Sequence, residues 1–154
     1  MKKSRGAPYR YTECGLDDVL IHELKPITDD DGEMTYEIPF VNLLHKAIAA
    51  SIVERESAMT GKHLRFLRTE MGMTQAELAK AVHKEHITIG RWERGENPID
   101  ENAETLIRLI TIERLELAQH ISVEKLSEYS LQSADSGPIN IDGSNPKKYQ
   151  PMAA

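Results

Sequence analysis

The residues best suited to chemistry lie between Gln75 and Arg94. Arg91 stands four positions after Ile87 and five after His86. At about 100° per residue these three share one side of a helix with Gly90. A guanidinium offers paired N–H donors that match guanine O6 and N7, and an isoleucine suits a thymine methyl. Ile89 and Trp92 fall on the opposite side, so the same helix has an apolar face to bury and another to expose. No catalytic pattern competes with this one. The chain has no Gly-rich phosphate loop, no nucleophile elbow and no metalloprotease histidine pair, so no enzymatic activity and no cofactor are expected. No metal site is expected either. His83 and His86 straddle a turn with no cysteine pair nearby, and Asp29, Asp30 and Asp31 lack the spaced ligands of a calcium loop.

The elements that must position this face are legible as helix stops and starts. Thr60 is a cap for a helix carrying Leu64, Leu67 and Met71, stopped by Gly72. Thr74 and Glu77 have the spacing of a capping box, opening a short helix that ends near Val82. A second short helix runs from about Glu85 to Arg94 before Gly95, and a longer one from Glu101 to about Ala118. Ala79 is small where the two short helices must cross, and Leu78, Val82, Ile89 and Trp92 are apolar where they share a core. This is the spacing of a helix-turn-helix whose second helix enters a major groove.

The run Leu67-Arg68, Gly72-Met-Thr-Gln-Ala-Glu-Leu-Ala79 and Ile89-Gly-Arg-Trp-Glu-Arg-Gly95 resembles the phage repressor/Cro-like (XRE) family of transcriptional regulators. The resemblance implies that Gln75 and Arg94 bond backbone phosphate. It implies that His86, Ile87 and Arg91 face base edges, and that Arg68 and Glu93 form an ion pair. Thr74, Lys84 and Thr88 complete the candidate DNA-binding set. His83 departs from the family, because it stands where the turn usually has Gly. A left-handed backbone there costs a non-Gly residue roughly 1–2 kcal/mol.

Taken over the whole chain, the charge opposes DNA binding. The chain of 154 residues carries a net −6, whereas phosphate binding needs Lys and Arg. Between Thr60 and Gly95, however, seven basic residues (Lys62, Arg65, Arg68, Lys80, Lys84, Arg91, Arg94) face four acidic ones (Glu70, Glu77, Glu85, Glu93), a local +3. A basic island in an acidic chain can face DNA while the rest points away. That balance argues against a sequence-blind nucleic-acid binder.

Outside this region the expected organisation is looser. Residues 1–10 read as a flexible arm and 11–57 as a small α/β region. In that region Asp18–Leu24 and Met34–Ile38 form a β-hairpin around an Asp-Gly turn, followed by a helix from Val41 to Glu56. Residues 58–118 are the helix-turn-helix domain, 119–131 a short C-terminal helix, and 132–154, rich in Ser, Gly, Pro, Asn and Asp, a disordered tail. The fold class expected is mainly α with a small N-terminal hairpin (α+β), built on a five-helix repressor-like domain.

Tyr11-Thr-Glu-Cys-Gly-Leu16, Leu44-His45 and Leu64-Arg-Phe-Leu-Arg68 resemble regulators related to the MqsA-type antitoxins. That family joins a zinc-knuckle domain to a helix-turn-helix, but with Cys14 as the one cysteine a four-ligand zinc site is expected to be lost. The partners expected are double-stranded DNA carrying a palindromic operator and a second copy of the chain. In the alternative reading, residues Tyr11 to Glu56 hold a toxin protein. A single cysteine fits a reducing cytoplasm. No run is apolar enough for a membrane span, and the basic start with no apolar stretch behind it is not expected to be a secretory signal.

Overall fold

Three successive helix ends in the middle of the chain use one hydrogen-bonding device, and it sets the geometry of everything near the site. In the computed structural model, which describes residues 7–118, 120–130 and 137–152, α1 spans Val41–Val53, α2 Gly61–Glu70, α3 Gln75–Ala81, α4 His86–Glu93, α5 Glu101–Arg114 and α6 Val123–Leu126. After α2, Gly72 N–H bonds Thr69 O and Met73 N–H bonds Arg68 O; after α4, Gly95 N–H bonds Trp92 O and Glu96 N–H bonds Arg91 O. These are Schellman motifs, which satisfy the last helical carbonyls and need a left-handed residue just past the end. Between α3 and α4 the same pair of bonds forms around His83, with φ of 58°. His83 thus takes the conformation a glycine would take more cheaply.

The starts are equally specified. Thr60 and His63 cap α2 reciprocally, as do Thr74 and Glu77 for α3. The latter bonds hold the Glu77 carboxyl below its ordinary pKa. Asp100 accepts from Ala103 N–H at the head of α5, and Ser122 from Lys125 N–H at the head of α6.

The chain divides into two units, Ala49–Ser136 and Met1–Ile48 with Gly137–Ala154. The first holds α2 to α6 and the end of α1. Its core is Leu64, Leu67, Leu78, Ile89 and Ile107, all fully buried. Four of these helices fall within 58–118, and the fifth is the short α6. At its centre lies Arg108, with no exposed surface. Its guanidinium donates to the carbonyls of Val53 (2.9 Å), Arg55 (2.6 Å) and Ser57 (3.0 Å) and to the Glu104 carboxylate (2.8 Å). Glu104 also accepts from Met59 N–H at 3.0 Å and from the Ser130 hydroxyl. The end of α1 and the loop after it are therefore fastened to α5 by backbone hydrogen bonds to both members of a buried ion pair within that helix.

The other unit holds a four-stranded sheet in the order β1-β2-β5-β6, with β1 (Tyr9–Tyr11), β2 (Val19–His22), β5 (Ile139–Asp142) and β6 (Gln150–Pro151). β2 runs parallel to β5, and the two outer pairings are antiparallel. Val19, Ile21, Ile139 and Ile141 are all fully buried and alternate with half-buried neighbours. Tyr11 and His45 hydrogen-bond at 2.7 Å, fixing the first half of α1 to this unit.

Several expectations are corrected here. The fold is mixed α/β, with six helices and six strands among the described residues. A hairpin does surround the Asp-Gly turn, but its strands are β3 (Pro26–Thr28) and β4 (Met34–Tyr36). The run Asp18–Leu24, expected as its first strand, instead gives β2 (Val19–His22), which ends where Glu23 turns left-handed at φ of 59° and pairs in the larger sheet. The acidic turn is built by Asp29, whose carboxylate accepts from Asp31 N–H and Glu33 N–H. Tyr9 and Arg10, expected in a flexible arm, lie in β1, and the expected disordered tail supplies β5 and β6. The parts of those two expectations falling on residues 1–6, 132–136 and 153–154, and Gln119 and Leu131 of the short C-terminal helix, lie outside the described residues.

Candidate nucleic-acid interface

α3 and α4 cross on a buried apolar contact. Leu78, Ala79 and Val82 meet Ile89 and Trp92 there, all no more than 5% exposed. This fixes which flank of α4 is inward. The outward flank carries His86, Ile87 and Arg91, all exposed, with Ile87 at 52%. Ile87 is thus an apolar side chain held out in solvent beside an imidazole and a guanidinium.

α4 is held along its length as well as across it. Arg68 grips Glu93 with two parallel bonds, Nε to Oε2 at 2.6 Å and Nη2 to Oε1 at 3.0 Å, and donates Nη1 to Met73 O at 3.0 Å. Such a fork fixes orientation as well as distance, and it pushes the Arg68 pKa up. Glu93 also accepts from Gln75 Nε2 at 3.2 Å. One carboxylate thereby couples α2, the head of α3 and the end of α4. At the same end Gly61, the first residue of α2, sits against the last carbonyls of α4. A Cβ there would lie 2.6 Å from Glu93 O and closer still to Trp92 O. Backbone cannot give way as a side chain can, so Gly61→Ala is expected to destabilise the unit by about 1–3 kcal/mol, the usual cost of overpacking. A fall in the urea midpoint at unchanged m-value checks it; an unaltered midpoint would mean the contact is not tight.

The remaining candidates are placed unevenly. Thr74 is spent on its capping box, its hydroxyl accepting from Glu77 N–H at 3.1 Å. Thr88 is half-buried, on the border between the two faces of α4. Lys84 comes within 4.0 Å of the Asp100 carboxylate. Arg94 is exposed but already engaged, donating Nε and Nη2 to Glu96 at 3.1 and 2.8 Å. The Arg91 guanidinium has no hydrogen-bond or ion-pair partner among the described residues. Lys84 and Arg94, both expected among the DNA-binding residues, thus each face an acidic side chain, Asp100 and Glu96, that the sequence analysis does not pair with them. The Arg-x-Glu spacing of 94 and 96 was the available signal.

What this arrangement offers is a rigid helix with a fixed outward flank bearing one uncommitted guanidinium, one apolar side chain and one imidazole. Among the described residues no helix is long and apolar enough to cross a membrane. No curated protein and no solved structure matches the chain. A helix-turn-helix family model does match, over residues 64–118, the segment in which α3, the His83 turn and α4 lie, and this segment is similar to the DNA-binding helix-turn-helix of XRE-type regulators.

Proposed function

We propose that the protein is a sequence-specific repressor that binds a palindromic operator in double-stranded DNA as a homodimer. The observation that carries this reading is the outward flank of α4, where Ile87 and Arg91 are exposed and uncommitted while Ile89 and Trp92 lock the other side. Ile87 reads a thymine methyl, and Arg91 reads guanine through O6 and N7. Gln75 and Arg94 contact backbone phosphate, which fixes register without reading sequence. One such module covers half a site, and a two-fold pair doubles the contacts. Selection of bound duplexes from a random pool tests the reading. The expected product is an inverted repeat whose half-sites lie about 10 bp apart, or a multiple of that. A pool that emerges unenriched would end this account.

A second reading, an antitoxin that represses its own operon, draws on the other unit. Ile27, Met34, Tyr36, Phe40, Val41 and Leu43 are exposed there, and the hairpin turn bears Asp29, Asp30, Asp31 and Glu33. Apolar anchors amid acidic charge suit a basic protein. Co-purification of a small basic toxin would favour it.

A further inference from the structure

Gly90 lies in the middle of α4, where a glycine is costly, and yet it is buried. A Cβ built on it would meet side-chain atoms: Arg94 Nη1 at 3.1 Å, Gln75 Oε1 at 3.6 Å and Gln75 Nε2 at 3.7 Å. The amide of Gln75 and the guanidinium of Arg94 therefore lie over the same bare Cα. Both are held in place from behind. Gln75 donates to Glu93, and Arg94 gives Nε and Nη2 to Glu96, which leaves Nη1 as the end of the fork that faces Gly90.

We propose that Gly90 is a positioning residue for DNA backbone binding: its missing side chain lets Gln75 and Arg94 act as one two-donor clamp on a phosphate. The inference rests on the DNA-binding reading above and adds to it a residue that has no side chain with which to touch DNA. A phosphate between the two side chains would take one N–H from Gln75 Nε2, whose other N–H stays on Glu93, and one from Arg94 Nη1. A methyl group at position 90 would enter the space between the clamp and the helix. The Arg94 tip is flexible and exposed, so it would swing aside by a few tenths of an ångström or more. The fold would tolerate this, while the clamp would lose its spacing.

These two consequences have opposite signs, which makes the proposal testable. Replacing a helix-interior glycine by alanine favours the helix, so Gly90→Ala in the full chain is expected to leave Tm unchanged or raise it. Its affinity for a 24-bp duplex pool of random sequence is expected to fall roughly three- to tenfold, with the slope of log K against log salt reduced by about one. The effect must pass through Arg94, so adding Gly90→Ala to Arg94→Ala should change affinity less than about twofold, the non-additivity of groups that act together. A cost of equal size in both backgrounds, whether from misfolding or from the methyl striking DNA directly, would overturn the proposal. So would unchanged affinity and salt slope in Gly90→Ala. Wild-type protein that binds no duplex at all would instead remove the DNA-binding reading itself.

Discussion

Arg108→Met is expected to cost about 3–5 kcal/mol of stability, the penalty of breaking a buried pair by removing one partner. The guanidinium has no exposed surface and serves the carbonyls of Val53, Arg55 and Ser57 as well as Glu104. Methionine fills much of the volume but donates nothing. Three carbonyls would lose their side-chain donor, and Glu104 would stay buried with its charge uncompensated, though still bonded to Met59 N–H and the Ser130 hydroxyl. Pairing the substitution with Glu104→Gln removes the stranded charge and should recover part of the loss. Urea unfolding monitored by Trp92 fluorescence measures both variants. A loss below about 1 kcal/mol, typical of a surface pair, would mean that the interior accommodates the change and that Arg108 does not fasten the end of α1 to α5.

The second large effect is on binding, not folding. Arg91→Ala should weaken binding to the selected operator by about 1–3 kcal/mol and relax preference at one base pair in each half-site. Stability should stay within roughly 0.5 kcal/mol, as for other surface changes, because Arg91 is exposed and its guanidinium has no partner among the described residues. Titration at fixed salt against the operator and its point variants separates the two properties. Equal weakening on every duplex, operator or random, would make Arg91 a phosphate contact. Arg68→Ala should behave in the opposite way, because Arg68 faces Glu93 across the unit and not solvent.

The two kinds of residue differ in how far they could be read from the chain. The helical unit, Ala49–Ser136, is legible because its information is local. Caps, Schellman stops and apolar spacing lie within ten residues of what they control, and even the His83 turn could be anticipated from its place between α3 and α4. The sheet was not legible for the converse reason. β5 is four residues long, and its partner β2 lies about 120 positions earlier in the chain. Ile139 and Ile141 alternate with Asn140 and Asp142, a pattern too brief to stand out from the Ser, Gly, Pro and Asn around it. Parallel pairing at that separation leaves no turn to announce it.

The site divides along the same line. The outward placement of His86, Ile87 and Arg91 follows from helix period alone. Which cations are already engaged does not, because Glu96 reaches Arg94 only once Gly95 has turned the chain back, and Asp100 approaches Lys84 across the α4–α5 connection. Glycine 90 shows the limit from another side. Its role lies in what Gln75 and Arg94 do around it, and a residue with no side chain gives no chemical signal in a sequence.

The central claim is that the outer flank of α4 lies against base edges in a major groove. It is tested most directly by replacing guanines of the selected operator, one at a time, with 7-deazaguanine, which lacks the N7 acceptor, and titrating wild-type and Arg91→Ala proteins. The account predicts one guanine per half-site where the replacement weakens the wild type about tenfold and leaves the Arg91→Ala protein unaffected. If every replacement costs both proteins the same, the guanidinium does not read a base and α4 does not lie in the groove as described.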